Sequence, residues 1–168
     1  GVKAFGRITT LINNAGDGGP TKKVQDYTME DWLYTIHSYL TSSYVCTRFA
    51  VPEMIKAGGG SIVNISSMAG RRGLPFRIGY CSAKAGQVGM TYGMALELGP
   101  HGIRVNALAP DICMTEGLRA MVAEGDRERF RWIVPLGRAG EPDDLAGAAV
   151  FLASALGRYV TGVTLHVD

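Results

Sequence analysis

Two hydroxyls, Ser66 and Ser67, follow an apolar run, and further along the chain Tyr80 and Lys84 stand one helical turn apart. A helix places residues i and i+4 on one face, so this spacing predicts the Lys84 ammonium beside the Tyr80 phenol, where it favours the ionised form. That moves a group with an ordinary pKa of about 10 towards physiological pH. A phenol tuned in this way passes a proton to or from a hydroxyl or carbonyl oxygen, while the Ser67 hydroxyl holds that oxygen by a hydrogen bond. The chemistry implied is interconversion of an alcohol and a carbonyl.

The elements that must position these groups alternate along the chain. Ile8 to Ala15 reads as a strand that stops at Gly16, before Asp17-Gly18-Gly19-Pro20. Thr28 is a helix N-cap with Asp31 at the capping-box position, and Trp32, Ile36, Leu40, Tyr44, Thr47, Val51 and Met54 follow helical spacing. This predicts one long helix over 28–56, ended by Gly58-Gly59-Gly60. Ser61 to Ser66 is short, β-branched and continuously apolar enough for a buried strand. A glycine- and arginine-rich loop over 69–79 leads to a helix over 80–98. In that helix Gly86, Gly89 and Gly93 form a stripe, at a cost of about 1 kcal/mol each relative to alanine. Close approach of a second subunit and close packing on the chain's own sheet both account for that stripe.

Ile103 to Pro110 reads as a third strand, with a loop beginning at Asp111. Glu116 to Trp132 reads as a mobile helical flap, and Glu141-Pro142-Asp143-Asp144 as a helix start with Leu145, Ala149 and Leu152 facing the core. Val163 to Val167 alternates as an edge strand does. The whole, 1–168, reads as a single α/β unit of about four parallel strands joined by right-handed crossovers. Catalytic groups in such sheets gather beyond the carboxyl ends of the strands, and Asn14, Ser67 and Asp111 lie at such ends.

Composition narrows the partners. With 17 basic and 15 acidic residues scattered along 168 and a net charge of +2, there is no basic stripe for nucleic acid and no polybasic membrane segment. No apolar run reaches the length of a membrane span. The three cysteines, Cys46, Cys81 and Cys113, show neither a disulfide framework nor zinc spacing, and His37, His101 and His166 show no metal-like spacing, so no metal site is expected. The chain reads as soluble and cytoplasmic. Arg71, Arg72 and Arg77 read as a solvated loop, with steering of an anionic substrate as the alternative.

Tyr-x-x-x-Lys alone is common by chance. Joined to Asn13-Asn14-Ala15-Gly16 after a strand, to Ser67 upstream, and to Ile103-Arg104-Val105-Asn106 leading to Pro110 and Thr115, it resembles the short-chain dehydrogenase/reductase family in order and over essentially the whole chain. Leu136-Gly137-Arg138, Glu141-Pro142 and Thr161-Gly162 add to that likeness. The resemblance implies the C-terminal part of a Rossmann-like fold, and an oxidoreductase that uses NAD or NADP. Tyr80 is then the acid/base, Lys84 lowers its pKa and binds the nicotinamide ribose, and Ser67 holds the substrate oxygen. Ala15 and Gly16 pass close to the cofactor, Asn14 pins the central sheet, and Pro110, Cys113 and Thr115 receive the carboxamide. The resemblance also implies a homo-oligomer formed through the 28–56 and 80–98 helices.

The chain departs from the family pattern in three places. The Thr-Gly-x-x-x-Gly-x-Gly turn that cradles a pyrophosphate does not occur in these residues, which implies weak cofactor binding by this stretch alone and leaves NAD against NADP open. Tyr39 stands where the family has the asparagine of its proton relay, which implies a weakened or rerouted relay. Asp111 stands where the family has glycine after proline, and brings a negative charge near the expected nicotinamide. An alternative to the enzyme is a catalytically silent unit that acts through oligomeric or partner contacts.

Overall fold

The computed structural model describes residues 2–122 and 130–168. Its elements are α1 (Val2–Phe5), β1 (Thr10–Asn13), α2 (Met29–Ile36), α3 (Ser42–Lys56), β2 (Gly60–Ile65), α4 (Ala69–Arg72), α5 (Ile78–Leu98), β3 (Ile103–Pro110), α6 (Glu116–Met121), α7 (Phe130–Ile133), α8 (Pro142–Ala153) and β4 (Thr164–Val167). The four strands form one parallel sheet in the order β1-β2-β3-β4. Register places Asn13 beside Asn64 and Val63 beside Asn106.

Alternation along the strands sends successive side chains to opposite faces, which makes three layers. On one face Ile62, Ile103 and Val105 pack with Ala50 and Met54 of α3 and Ala95 and Leu98 of α5. On the other, Val63 and Leu108 pack with Leu152 of α8. Burial of each of the valine, leucine, isoleucine and methionine side chains among these contributes about 1.5–3 kcal/mol. The polar side chains that share the first face are tied to one another. Asn13 Nδ2 donates to Thr47 Oγ1 at 3.0 Å and to Asn64 Oδ1 at 2.8 Å, and Asn64 Nδ2 donates to Thr91 Oγ1 at 2.9 Å. The network joins β1, β2, α3 and α5 inside the core. The sheet-pinning bonds expected of Asn14 are made by Asn13, because alternation turns Asn13 inward and leaves Asn14 exposed at the strand end.

The expected long helix starts where its capping box puts it. Thr28 Oγ1 accepts from the Asp31 N–H and Asp31 Oδ2 accepts from the Thr28 N–H. The helix is not uniform, however: a π turn, His37–Thr41, separates α2 from α3 and carries Tyr39. Such turns are frequent at functional sites. The region read as a loop after β2 contains the helical turn α4, and α5 begins at Ile78, ahead of Tyr80. β1 is shorter at both ends than read from sequence, while β3 spans the residues expected. Glu141 caps α8 through a capping box with Asp144. The expected flap is described at its two ends by α6 and α7, and the rest of it lies outside the described residues.

The glycine stripe of α5 divides. A Cβ at Gly86 would meet Leu40 Cδ2 of the π turn at 2.7 Å, so that position packs on the chain itself. A Cβ at Gly89 or Gly93 would meet nothing within 4 Å. No helix among the described residues is long and apolar enough to cross a membrane.

Candidate active site

The Tyr80 and Lys84 side chains reach the site because three elements hold the first turns of α5. Ser66 Oγ donates to the Lys84 carbonyl at 2.8 Å, fixing the end of β2 against the helix. A Cβ at Gly70 would lie 2.8 Å from the Lys84 carbonyl carbon, so α4 crosses α5 at a distance only glycine permits. Tyr27 and Thr35 close on Gly79, and their hydroxyls are 2.9 Å apart.

Lys84 is 4 % exposed, and its ammonium donates to the Ile65 carbonyl at 2.6 Å. It sits 4.5 Å from the centroid of the Tyr39 ring and 5.7 Å from that of Tyr80. Burial, which penalises the charged form, lowers its pKa from the ordinary 10.5 to about 8. The Tyr39 and Tyr80 rings meet edge to face, centroids 5.2 Å apart. Burial, with the neighbouring Tyr80, holds the Tyr39 phenol well above its ordinary range, so it is neutral at physiological pH. A Cβ at Gly16 would fall 2.1 Å from Tyr39 Cε1, so the ring occupies the space beside that glycine.

Ser67, at the carboxyl end of β2, is half-buried. Its Oγ accepts from the Ala69 N–H at 3.1 Å, and its own proton remains to be donated. Asn14, Pro110, Cys113 and Thr115 line one cavity of about 290 Å³ together with Ile12, Ile65 and Leu108. Ile65 is common to this cavity and the lysine, lining the one and receiving the ammonium of the other on its carbonyl. The exit of β1 makes a second link: Asn14 lines the cavity and Gly16 meets Tyr39. Ala15 is exposed between them. Asp111 pairs with Arg72, which offsets the charge it brings to the loop after β3.

Arg77, which the sequence reading places in a solvated loop, is instead a neighbour of the tyrosine. Arg77 lays its guanidinium 4.8 Å from the Tyr80 ring centroid and donates through Nη2 to the Gly18 carbonyl. The same loop is held by Lys22 N–H on the Phe76 carbonyl at 2.9 Å, and Phe76 has a φ of 63°, a conformation few non-glycine residues adopt. Sequence reasoning left the internal network of Asn13 and Asn64 unassigned. Its one sequence signal is an asparagine within the otherwise apolar run of β2.

A parallel α/β sheet flanked by helices, whose strand ends present a buried lysine, two phenol rings meeting edge to face, a serine hydroxyl and a cavity, defines the class: a Rossmann-like chain. A family profile described as Enoyl-(Acyl carrier protein) reductase matches residues 2–168. The chain is 41% identical over 169 residues to the L-rhamnose 1-dehydrogenase (NAD(P)(+)) of Azotobacter vinelandii, covering 99% of this chain and 66% of that protein. It is 40% identical over 169 residues to a 3-oxoacyl-[acyl-carrier-protein] reductase of Chlamydia muridarum, covering 98% and 65%. A solved 7 alpha-hydroxysteroid dehydrogenase in complex with NADH and 7-oxo glycochenodeoxycholic acid superposes with a TM-score of 0.92 at 34% identity, over 99% of this chain and 64% of that one. The chain belongs to the short-chain dehydrogenase/reductase family, and spans about two thirds of the length of these relatives.

Proposed function

We propose that this chain carries the proton-transfer centre of an NAD(P)-dependent oxidoreductase that interconverts a small-molecule alcohol and carbonyl. The observation that carries the reading is that Ile65, whose carbonyl holds Lys84 beside Tyr80, also lines the cavity shared by Asn14, Pro110, Cys113 and Thr115. The names of the relatives support the same chemistry, since each is a dehydrogenase or reductase.

The cavity suits the nicotinamide end of the cofactor. At about 290 Å³ it lies just below the roughly 300–1,000 Å³ that house whole drug-sized ligands, so it takes a ring and its carboxamide rather than a complete dinucleotide. Asn14, Pro110 and Cys113 would flank that ring, and the Thr115 hydroxyl, which accepts from the Leu118 N–H, keeps its proton to donate to the carboxamide. When bound, the nicotinamide supplies or accepts the hydride.

In the reducing direction Ser67 donates a hydrogen bond to the carbonyl oxygen, and the Tyr80 hydroxyl delivers its proton to the same atom. Lys84, fixed by the Ile65 carbonyl, supplies positive charge where the phenol loses that proton. Arg72 is committed to Asp111 and Arg77 to Gly18 and the tyrosine ring, so neither is free to steer an anionic substrate. A homo-oligomer built on α3 and α5 fits the open positions at Gly89 and Gly93 and the exposed Phe49, Tyr92 and Leu96.

Saturation-transfer NMR with NADH and with NADPH tests the cofactor reading, because it reads weak binding as well as tight. The nicotinamide ring protons receive saturation from the protein, and Thr115→Trp, which fills the cavity, abolishes it. Absence of transfer with both dinucleotides contradicts the proposal.

A further inference from the structure

We propose that Tyr39 is a positioning residue that holds the Lys84 ammonium through the face of its ring, its hydroxyl taking no part. This deepens the oxidoreductase reading, on which it rests for the role of Lys84, but it concerns the lysine's own protonation. The buried ammonium has one hydrogen-bond partner, the Ile65 carbonyl, and no ion pair to it exists among the described residues. The nearest ring is that of Tyr39, at 4.5 Å, inside the range of a cation–π contact and closer than Tyr80 at 5.7 Å. Contacts of this kind are strongest where water is excluded, and this one is buried on both sides, Lys84 at 4 % and Tyr39 at 6 % exposure.

The ring is gripped as a positioning group must be. Gly16 leaves it the space that any side chain there would take, the Tyr80 ring meets it edge to face, and the π turn carries its backbone. The Tyr39 carbonyl is bonded by Ser43 Oγ at 2.7 Å and Gln87 Nε2 at 3.2 Å, which fixes the turn against α5. No hydrogen bond of the Tyr39 hydroxyl occurs among the described residues.

Among the described residues, few groups face the ammonium from the elements around it. Tyr39 comes from the π turn, Tyr80 from its own helix, and Arg77 lies beyond the Tyr80 ring. Asp31 of α2 is committed to Lys22, and Arg72 of α4 to Asp111. An asparagine at position 39 would offer the ammonium no π face.

The test is the protonation midpoint of Lys84, read from the pH dependence of its side-chain Cε and Nζ resonances in the full chain without cofactor, with Lys84→Arg identifying the signals. Tyr39→Phe keeps the ring and leaves the midpoint within a few tenths of a unit. Tyr39→Leu removes the π face and lowers the midpoint by about one unit, a tenfold loss of proton affinity. Gly16→Ala, which displaces the ring without changing it, lowers the midpoint in the same direction and carries the test if the leucine variant does not fold. A midpoint lowered as far by Tyr39→Phe as by Tyr39→Leu assigns the effect to the hydroxyl and overturns the proposal. An unchanged midpoint in Tyr39→Leu or Gly16→Ala also overturns it, assigning the lysine's state to Ile65 and burial alone. Turnover enters none of these readouts, so failure of the oxidoreductase reading leaves them standing, and their failure leaves that reading standing.

Discussion

Replacing Lys84 by methionine should make the protein more stable at neutral pH. Lys84 is buried with a single carbonyl as hydrogen-bond partner among the described residues, and burial lowers its pKa from 10.5 to about 8. The unfolded chain therefore binds this proton more tightly than the folded one, and folding carries a penalty of about 3 kcal/mol wherever both states are charged. That penalty is fully present below about pH 8, shrinks as the pH rises from 8 towards 10.5, and is absent above 10.5. Methionine fills a similar volume without the charge, and gives up the bond to Ile65, worth about 1 kcal/mol. The expected net gain is about 2 kcal/mol at pH 7, falling as pH rises and reversing sign near pH 10, where the remaining penalty equals the lost bond. Urea unfolding of both proteins at a series of pH values, with a common slope m, measures it. A Lys84→Met protein that is less stable at pH 7, or a difference that does not change with pH, refutes the reasoning.

Asn64→Ala removes two buried hydrogen bonds and leaves an Asn13 N–H without its acceptor, which should cost about 3 kcal/mol in urea unfolding. A loss below about 1 kcal/mol would mean that the network does not order the sheet against α5. Ser67→Ala should lower kcat about a hundredfold or more while dinucleotide binding stays within twofold, since Ser67 does not line the cofactor cavity. Gly89→Glu places a charge in open space on the single chain, so it should leave the unfolding midpoint nearly unchanged and shift sedimentation towards the monomer. An unaltered sedimentation profile moves the subunit contact away from α5.

Sequence periodicity located the layers because the two repeats are simple. Period two separates Val63 from Ile62 across the sheet, and the Thr28 capping box fixes where α2 starts. The residues of the candidate site stand out in the sequence by type and spacing: Tyr80, Lys84 and Ser67, together with Asn14, Pro110, Cys113 and Thr115, which the structure sets along one cavity. What was not legible depends on contacts between distant segments. The π turn at His37–Thr41 is one extra residue in a helical turn, which no propensity encodes. The choice of Asn13 over Asn14 as the inward residue rests on strand register, and neighbouring asparagines carry the same local signal. Arg77 sits in a loop that reads as solvated, and only the approach of Gly18 and the Tyr80 ring gives it a place. Tyr39 was visible as a departure from the family pattern, while its distance to Lys84 was not.

The central claim is that Tyr80 exchanges the proton of an alcohol–carbonyl conversion. The most direct test follows nicotinamide absorbance in the protein with a panel of ketones and secondary alcohols, for wild type and Tyr80→Phe. The account predicts turnover by the wild type and a loss of about a hundred- to ten-thousand-fold in kcat for Tyr80→Phe, with cofactor binding retained. A Tyr80→Phe protein that turns over at the wild-type rate contradicts it.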